Sequence, residues 1–323
     1  MNSRRRLQIL LLIASIVFLA ATFSRPTMKL ERPTYRYVFV FDISQSMNVI
    51  DVANTELPLT RLDYAKQTAA ETLSILPCGT EVGLALFTGH RAFLLITPIE
   101  ICANYRELST MLNNIEWRMT WEKRSEIAKG LYKSIALLKE MAGLTRLVFF
   151  TDGHEAPPIN PDLPPRYFGL KGEIRGLIMG VGGEKPVPIP KFDETGKQLG
   201  YWKAEEVLHI DSFSQSRNAR EGIESMGSRT EHLSSLRETY LEGLANKTGL
   251  IYRRLANSEE FSAHMKSKSL SIPKLIITDM RWFFALGSLL TFVAASLITS
   301  IKQLPFSTHE NEVKRTPIEG LLN

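Results

Sequence analysis

Apolar positions along the 323 residues fall into two unbroken runs near the ends and a periodic pattern between them. Residues 7–23 carry no charge and follow Arg4, Arg5 and Arg6. Residues 282–301 form a second uncharged run, bounded by Arg281 and Lys302. A helix needs about 20 such residues to cross a bilayer, so the second run predicts a transmembrane helix. The first is shorter and predicts either a transmembrane anchor over residues 1–24 or a signal segment. Ala20 and Ala21 are small, but no clean cleavage pattern precedes Arg25. By the positive-inside rule, the triple arginine stays cytoplasmic together with Lys302, Lys314 and Arg315. Residues 24–281 then lie outside, which in a bacterial inner membrane means the periplasm, and 302–323 form a cytoplasmic tail.

Between the runs, the apolar period switches repeatedly between 2 and 3.6. Residues 35–41 are aromatic and β-branched, predicting a buried central strand. Apolar residues at 62, 65, 69, 73 and 76 mark one face of a helix over 59–76, ended by Pro77 and Gly79. Residues 81–87 and 92–97 predict a hairpin turning at Thr88-Gly89-His90-Arg91. Helices follow at 104–115 and 125–141, the second with Ile127, Leu131, Ile135 and Leu138 on one face. The strand at 146–150 runs straight into Thr151-Asp152-Gly153. Next come a strand at 173–181, a helix at 233–246, a strand at 250–252 and a helix at 258–268. This alternation predicts an α/β domain over 35–268, with a mostly parallel sheet and helices on both faces. Two stretches interrupt it: a loop at 157–165 with five prolines, and a hairpin at 185–205 built around Asp193-Glu194-Thr195-Gly196. Both follow strands, where ligand loops of open α/β sheets lie.

Asp42-Ile43-Ser44-Gln45-Ser46 comes directly after the first interior strand. Alternate residues of an extended segment point the same way, so Asp42, Ser44 and Ser46 converge. A carboxylate and two hydroxyls are hard oxygen donors, suited to Mg²⁺, Mn²⁺ or Ca²⁺. Few protein ligands and several waters favour Mg²⁺ or Mn²⁺. Asp152, at the end of another strand, brings a second carboxylate to the same edge. Taken alone, Asp-x-Ser-x-Ser is weak, since these residue types also form turns and caps; the second strand-end motif gives it weight.

Together these motifs resemble the metal-ion-dependent adhesion site of von Willebrand factor type A domains. The resemblance runs from about 35 to 266. It takes in Arg61-Leu62-x-x-Ala65-Lys66, Gly182-Gly183-x-x-x-Val187-Pro188-Ile189-Pro190 and Leu241-x-x-Leu244-Ala245-x-x-Thr248-Gly249. It implies a Rossmann-like fold with one antiparallel edge strand, and a partner carboxylate that completes the metal shell. The additional matches are similar to the bacterial membrane-bound branch linked to MoxR-type ATPases, which includes the aerotolerance (Bat) proteins and accessory proteins of methanol oxidation. That likeness implies such an ATPase and other membrane proteins of this type as partners. Where the family carries threonine in a Thr-x-Ile-Gly-x-Ala-Leu-like stretch, this chain has Ser125-Glu126-Ile127-Ala128-Lys129-Gly130-Leu131. Ser125 is therefore the expected further ligand and Thr120 the alternative. Thr151 is expected to bond within its loop, His154 to be a solvated loop residue, and Trp117 and Trp121 to serve either recognition or core packing.

Composition and charge narrow the function. A chain that is 44% hydrophobic can bury a full core, and its net charge of +5 is not gathered into one basic block, which argues against nucleic acid. No P-loop, Gly-x-Ser-x-Gly elbow or His-Glu-x-x-His is present, so an enzyme is not expected. With the hairpin turn centred between Gly89 and His90, Cys78 and Cys102 fall nearly opposite each other beyond the strand ends. They are either a disulfide, in an oxidising compartment, or two buried thiols. The functions that remain are assembly or maturation of an exported enzyme, such as a metal- or quinone-dependent dehydrogenase, and adhesion or ligand reception through the same metal site.

Overall fold

The computed structural model describes residues 3–52, 58–120, 122, 124–141, 143–160, 162–207 and 230–300. Trp121 and the tail at 302–323 lie outside these described residues. The chain divides into two units, residues 1–31 with 275–323, and residues 32–274.

In the first unit, α1 (Ser3–Phe23) packs against a C-terminal helix, Arg281–Ser300. Both are long and apolar enough to cross a membrane. Ser15 Oγ donates to Ser288 O at 3.1 Å, and Ser288 Oγ donates back to Ser15 O at 3.0 Å. Hydroxyls satisfied within the helix pair suit an environment without water. Leu10, Ile13, Val17, Leu289 and Leu290 point outward and are exposed. Strand β1 (Thr27–Thr34) pairs with a late strand, Ile272–Asp279.

The second unit is built on β2 (Arg36–Asp42), whose Tyr37 to Phe41 are sealed from solvent. The strand period puts Tyr37, Phe39 and Phe41 into one core and Val38 and Val40 into the other. Following β2 are α2 (Arg61–Ile75), β3 (Glu81–Thr88), β4 (Arg91–Glu100), α3 (Tyr105–Asn113), α4 (Ile127–Lys139), β5 (Arg146–Thr151) and β6 (Gly176–Gly180). Then come the short strands β7 (Val187–Pro188), β8 (Pro190–Phe192), β9 (Gln198–Tyr201) and β10 (Leu233–Ser234). After these lie α5 (Glu238–Thr248), β11 (Ile251–Arg254), α6 (Ser258–Met265), β12 (Ile272–Asp279) and α7 (Arg281–Ser300). The main sheet has the order β11-β6-β5-β2-β3-β4, parallel except for β4 at the edge.

Helices α2, α3 and α6 cover one face through Leu62, Leu73, Leu108, Leu112, Phe261 and Met265. Helices α4 and α5 cover the other through Ile127, Leu131, Ile135, Leu138, Leu241 and Leu244. The spacing of these residues at three and four is why each helix is stable here: its apolar stripe is buried against the sheet. A side chain at Gly130 would meet the Phe87 ring at 1.9 Å, so only glycine lets α4 lie this close to β3. Thr60 caps helix α2: its Oγ1 accepts from Asp63 N at 3.0 Å and donates to Asp63 Oδ2 at 2.7 Å.

Several predicted elements need correction: the edge strand expected at 92–97 runs Arg91–Glu100, and in the hairpin expected at 185–205 only β8 and β9 pair, while Val187–Pro188 pair with Leu233–Ser234. The helix expected from 233 begins at Glu238. Before it, Leu236 N donates to Gly183 O at 2.8 Å and Arg237 N to Asp152 O at 2.9 Å, so these backbone groups serve neighbouring loops instead of a helix. The strand expected from 173 starts at Gly176, because Gly172 takes a φ of 78° in a turn whose N–H bonds Thr248 O. The last helix of this unit stops at Met265, three residues short of the expected end.

Cys78 and Cys102 are joined, with Cα atoms 5.4 Å apart. Two register irregularities between β3 and β4 set Glu81 opposite Glu100, just inside the bridge.

Candidate metal centre

The parallel register sets Phe41 beside Phe150, which places the residues that follow, Asp42 and Thr151-Asp152, at one edge of the sheet. Both carboxylates are fully buried. Ser44 N donates to Asp42 Oδ1 at 2.9 Å, and Thr151 Oγ1 donates to Asp42 Oδ2 at 2.7 Å. Thr151 therefore bonds within the two loops, as expected from the sequence. Ser44 Oγ and Ser46 Oγ lie 3.1 Å apart at the start of a tight turn, Gln45–Asn48.

The charges of the two carboxylates are handled differently. Arg61, the first residue of α2 and wholly buried, donates through Nη1 to Asp152 Oδ2 at 2.5 Å. Its Nε and Nη2 grip Asp51 at 2.9 and 2.5 Å. Ser234 Oγ accepts from Arg61 Nη1 at 2.7 Å and donates to Asp152 Oδ2 at 3.0 Å. Burial pushes the Asp152 carboxyl up, but the Arg61 charge leads the opposing interactions, and together they hold it below the usual carboxylate range. Asp42 bonds no cationic side chain among the described residues. Burial, and then the charge of Asp152, push its carboxyl well above the usual range.

A cavity of about 220 Å³ opens over this edge, lined by Ser44, Ser46, Ser125, His154, Ile189 and Trp202 among others. Ser125 is pinned by its backbone: its N–H donates to Ala156 O at 2.7 Å, and Ala156 N donates back at 2.7 Å. Its hydroxyl is buried and has no hydrogen-bond partner among the described residues. Thr120 is engaged elsewhere, bonding Thr88 Oγ1 and accepting from Glu122 N at 3.1 Å. Asp42, Ser44, Ser46 and Asp152 are thus together at one edge, Ser125 faces the same cavity, and Thr120 does not line it. The donor set fits a hard divalent cation. It combines an uncompensated carboxylate, a second carboxylate, two adjacent hydroxyls and an orphaned hydroxyl, all oxygen.

His154 corrects its expected place: it is buried, not solvated. Burial pulls it down to about 4, so its ring is neutral at physiological pH, with Nδ1 3.4 Å from Arg237 Nη2. The Trp117 ring lies 5.0 Å from that of Phe192, tilted by 32°, and packs against the core. Arg61, Ser234 and Trp202 were not foreseen as parts of the site. Trp202 Nε1 donates to Gln45 Oε1 at 2.6 Å, anchoring the segment after β9 to the loop that carries Ser44 and Ser46. One signal was available for Arg61: an arginine opening an otherwise amphipathic helix, directly after a capping threonine. Cys78, Glu100 and Cys102 also lie close together. They form a separate group: the cysteines are bonded to each other, and Glu100 accepts from Gly79 N and Ala103 N at 2.7 and 2.6 Å.

A doubly covered, mostly parallel sheet with an antiparallel edge and paired strand-end Asp-x-Ser-x-Ser and Thr-Asp-Gly loops is the fold of von Willebrand factor type A domains. Residues 37–154 match the family model described as von Willebrand factor type A domain. A "UPF0353 protein" of Mycobacterium sp. (strain KMS) is 29% identical over 240 residues, covering 67% of this chain and 68% of that one. Its counterpart in Mycolicibacterium paratuberculosis (strain ATCC BAA-968 / K-10) is 29% identical over 238 residues, covering 66% and 67%. Among solved structures, an aerotolerance-related membrane protein from Bacteroides fragilis is similar over 72% of this chain and 96% of that one, at 18% identity and a TM-score of 0.47.

Proposed function

We propose that this protein is a membrane-anchored von Willebrand factor type A domain that holds a divalent cation, Mg²⁺ or Mn²⁺, and grips a client protein through it. Asp42, Ser44, Ser46, Ser125 and Asp152 would hold the ion. The observation that carries this reading is Asp42, a carboxylate sealed from solvent beside a second carboxylate, with no cationic partner among the described residues. Bound there, the cation would supply positive charge and an open coordination position for a carboxylate of the client. The chain's own residues supply the rest. Arg61 neutralises Asp152 and fixes its rotamer. Ser125 faces the cavity from a rigid bridge. Arg124 is exposed on the cavity rim, where it favours an acidic client residue. Ile189 and Trp202 form an apolar wall that reads the neighbouring residue.

In this reading the terminal helices anchor the domain in a bacterial inner membrane, with the site on the periplasmic side. The client is an exported enzyme under assembly, and a MoxR-type ATPase acts from the cytoplasm alongside other membrane proteins of this type. The resemblance of the extended motifs supports that setting. The test is a deletion strain complemented with wild type or Asp42→Asn, which removes the charge and keeps the shape. Client enzymes should stay immature in the Asp42→Asn strain and should not co-purify with the variant. Full maturation in that strain would move adhesion or ligand reception ahead of assembly.

A further inference from the structure

The end of the domain opposite the metal centre carries its own pattern. Leu144, in the turn between α4 and β5, is 62% exposed; Phe168 is 90% exposed and Leu170 76% exposed. Three interactions place the residues just after Phe168 and Leu170 at the end where the parallel strands begin. Gly172 N donates to Thr248 O, the last residue of α5, at 2.8 Å. Glu173 pairs with Lys139, the last residue of α4. Leu147 N, at the start of β5, donates to Arg175 O at 3.1 Å. Arg166, Lys171 and Arg175 flank the two apolar side chains and are exposed, whereas the nearby acid Glu173 is already matched by Lys139. The chain also enters and leaves this unit here. Arg36, first in β2, pairs with Glu81 at 2.8 Å, and Glu81 accepts from Lys274 Nζ at 2.9 Å. Residues 24–31 alone separate α1 from this unit in the chain.

We propose that the segment 166–171 is a membrane-contacting loop: Phe168 and Leu170 insert into the interfacial zone of an anionic bilayer while Arg166 and Lys171 bind its headgroups. Two large apolar side chains held almost fully in water have no folding function, and partition into an interface recovers their transfer free energy. Flanking cations add attraction to acidic lipids that fades with salt. The short tether to an apolar helix keeps a bilayer at high effective concentration, so weak insertion suffices. The loop would fix the domain's tilt and hold the metal centre away from the lipid. This inference rests on the terminal helices being membrane-embedded and does not depend on the metal reading.

The full chain is reconstituted in nanodiscs; co-elution with the discs reports separately on the helices. The two native cysteines are bonded to each other, so Leu170→Cys provides one free thiol for an environment-sensitive dye. Glu194→Cys, exposed on the hairpin between β8 and β9, provides the control. In phosphatidylglycerol discs the dye at 170 should shift to the blue and be quenched by nitroxide-bearing lipid, while the dye at 194 should do neither. Adding Phe168→Ser with Arg166→Glu and Lys171→Glu should abolish both effects, and phosphatidylcholine discs or high salt should weaken them. Water-like emission at 170 in anionic discs would overturn the proposal. So would a blue shift without lipid quenching, which would point to a protein occupant.

Discussion

The ends of β2 and β5 lie side by side, each delivers an aspartate to the same edge, and both aspartates, Asp42 and Asp152, are sealed from water. Their carboxylates nevertheless live in opposite surroundings. Asp152 is bound by Arg61 at 2.5 Å, and the guanidinium is itself held by Asp51, so that corner carries its own counter-charge. Among the described residues Asp42 meets no cation and receives dipoles from Ser44 N, the Ser44 hydroxyl and Thr151 Oγ1. A buried charge without a partner costs free energy that the fold does not recover from burial. A site of this kind is kept for what it can bind. In the proposed reading Asp152 holds the fold together as well as the metal, and Asp42 serves the metal above all.

The largest expected effect breaks the paired corner. Asp152→Asn leaves Arg61 buried with half of its counter-charge and should lower unfolding free energy by ~3 kcal/mol in chelator, the low end for breaking a buried pair because Asp51 remains. Denaturant titration of wild type and variant reads this directly. Asp42→Asn in the same buffer should lose nothing or gain stability, since it removes a charge that burial disfavours. If the two variants were equally destabilised, the contrast would collapse.

A smaller effect concerns Glu155, also on the loop after β5. Burial pushes its carboxyl up from 4.5 to about 7, against bonds from Tyr240 and from Ala128 N. A raised carboxyl favours the folded state below its unfolded pKa, and that contribution disappears as pH climbs through the folded value. Wild type should therefore lose on the order of 2–3 kcal/mol relative to Glu155→Gln between pH 4.5 and 7.5. Parallel stability curves for the two proteins across this range would contradict the assignment.

The smallest effect separates the two hydroxyl candidates. Ser125→Ala removes an oxygen that has no partner among the described residues, so apo stability should hold while Mn²⁺ affinity falls several-fold. Thr120→Val should leave affinity unchanged. Titration calorimetry on the pair measures both, and the reverse ranking would place Thr120 in the site.

Much of this contrast was legible in the sequence, because it depends on strand ends. Alternation through 35–41 fixed which residues of Asp42-Ile43-Ser44-Gln45-Ser46 converge, and the run 146–150 delivered Asp152 to the same edge. Hairpin register set Cys78 nearly opposite Cys102 and left a disulfide or two buried thiols open; the structure joins them, and the two irregularities between β3 and β4 were not foreseen. What escaped was the part assembled by long-range contacts without local periodicity. Arg61 reads as a helix-opening residue, and only the tertiary fold brings it to Asp51, Asp152 and Ser234. Ser234 sat inside a predicted helix, whereas its segment is drawn out to bond the loops at 152 and 183. His154 looked solvated because nothing local indicates that Glu231 and Arg237, far along the chain, lie against it.

The most direct measurement of the central claim is calorimetric titration of Mg²⁺ and Mn²⁺ into the full chain in nanodiscs, comparing wild type with Asp42→Asn. The account predicts one saturable site in the wild type, none in the variant, and a variant that unfolds in chelator no earlier than the wild type does. Equal cation affinity in the two proteins, or no binding in the wild type, would contradict it.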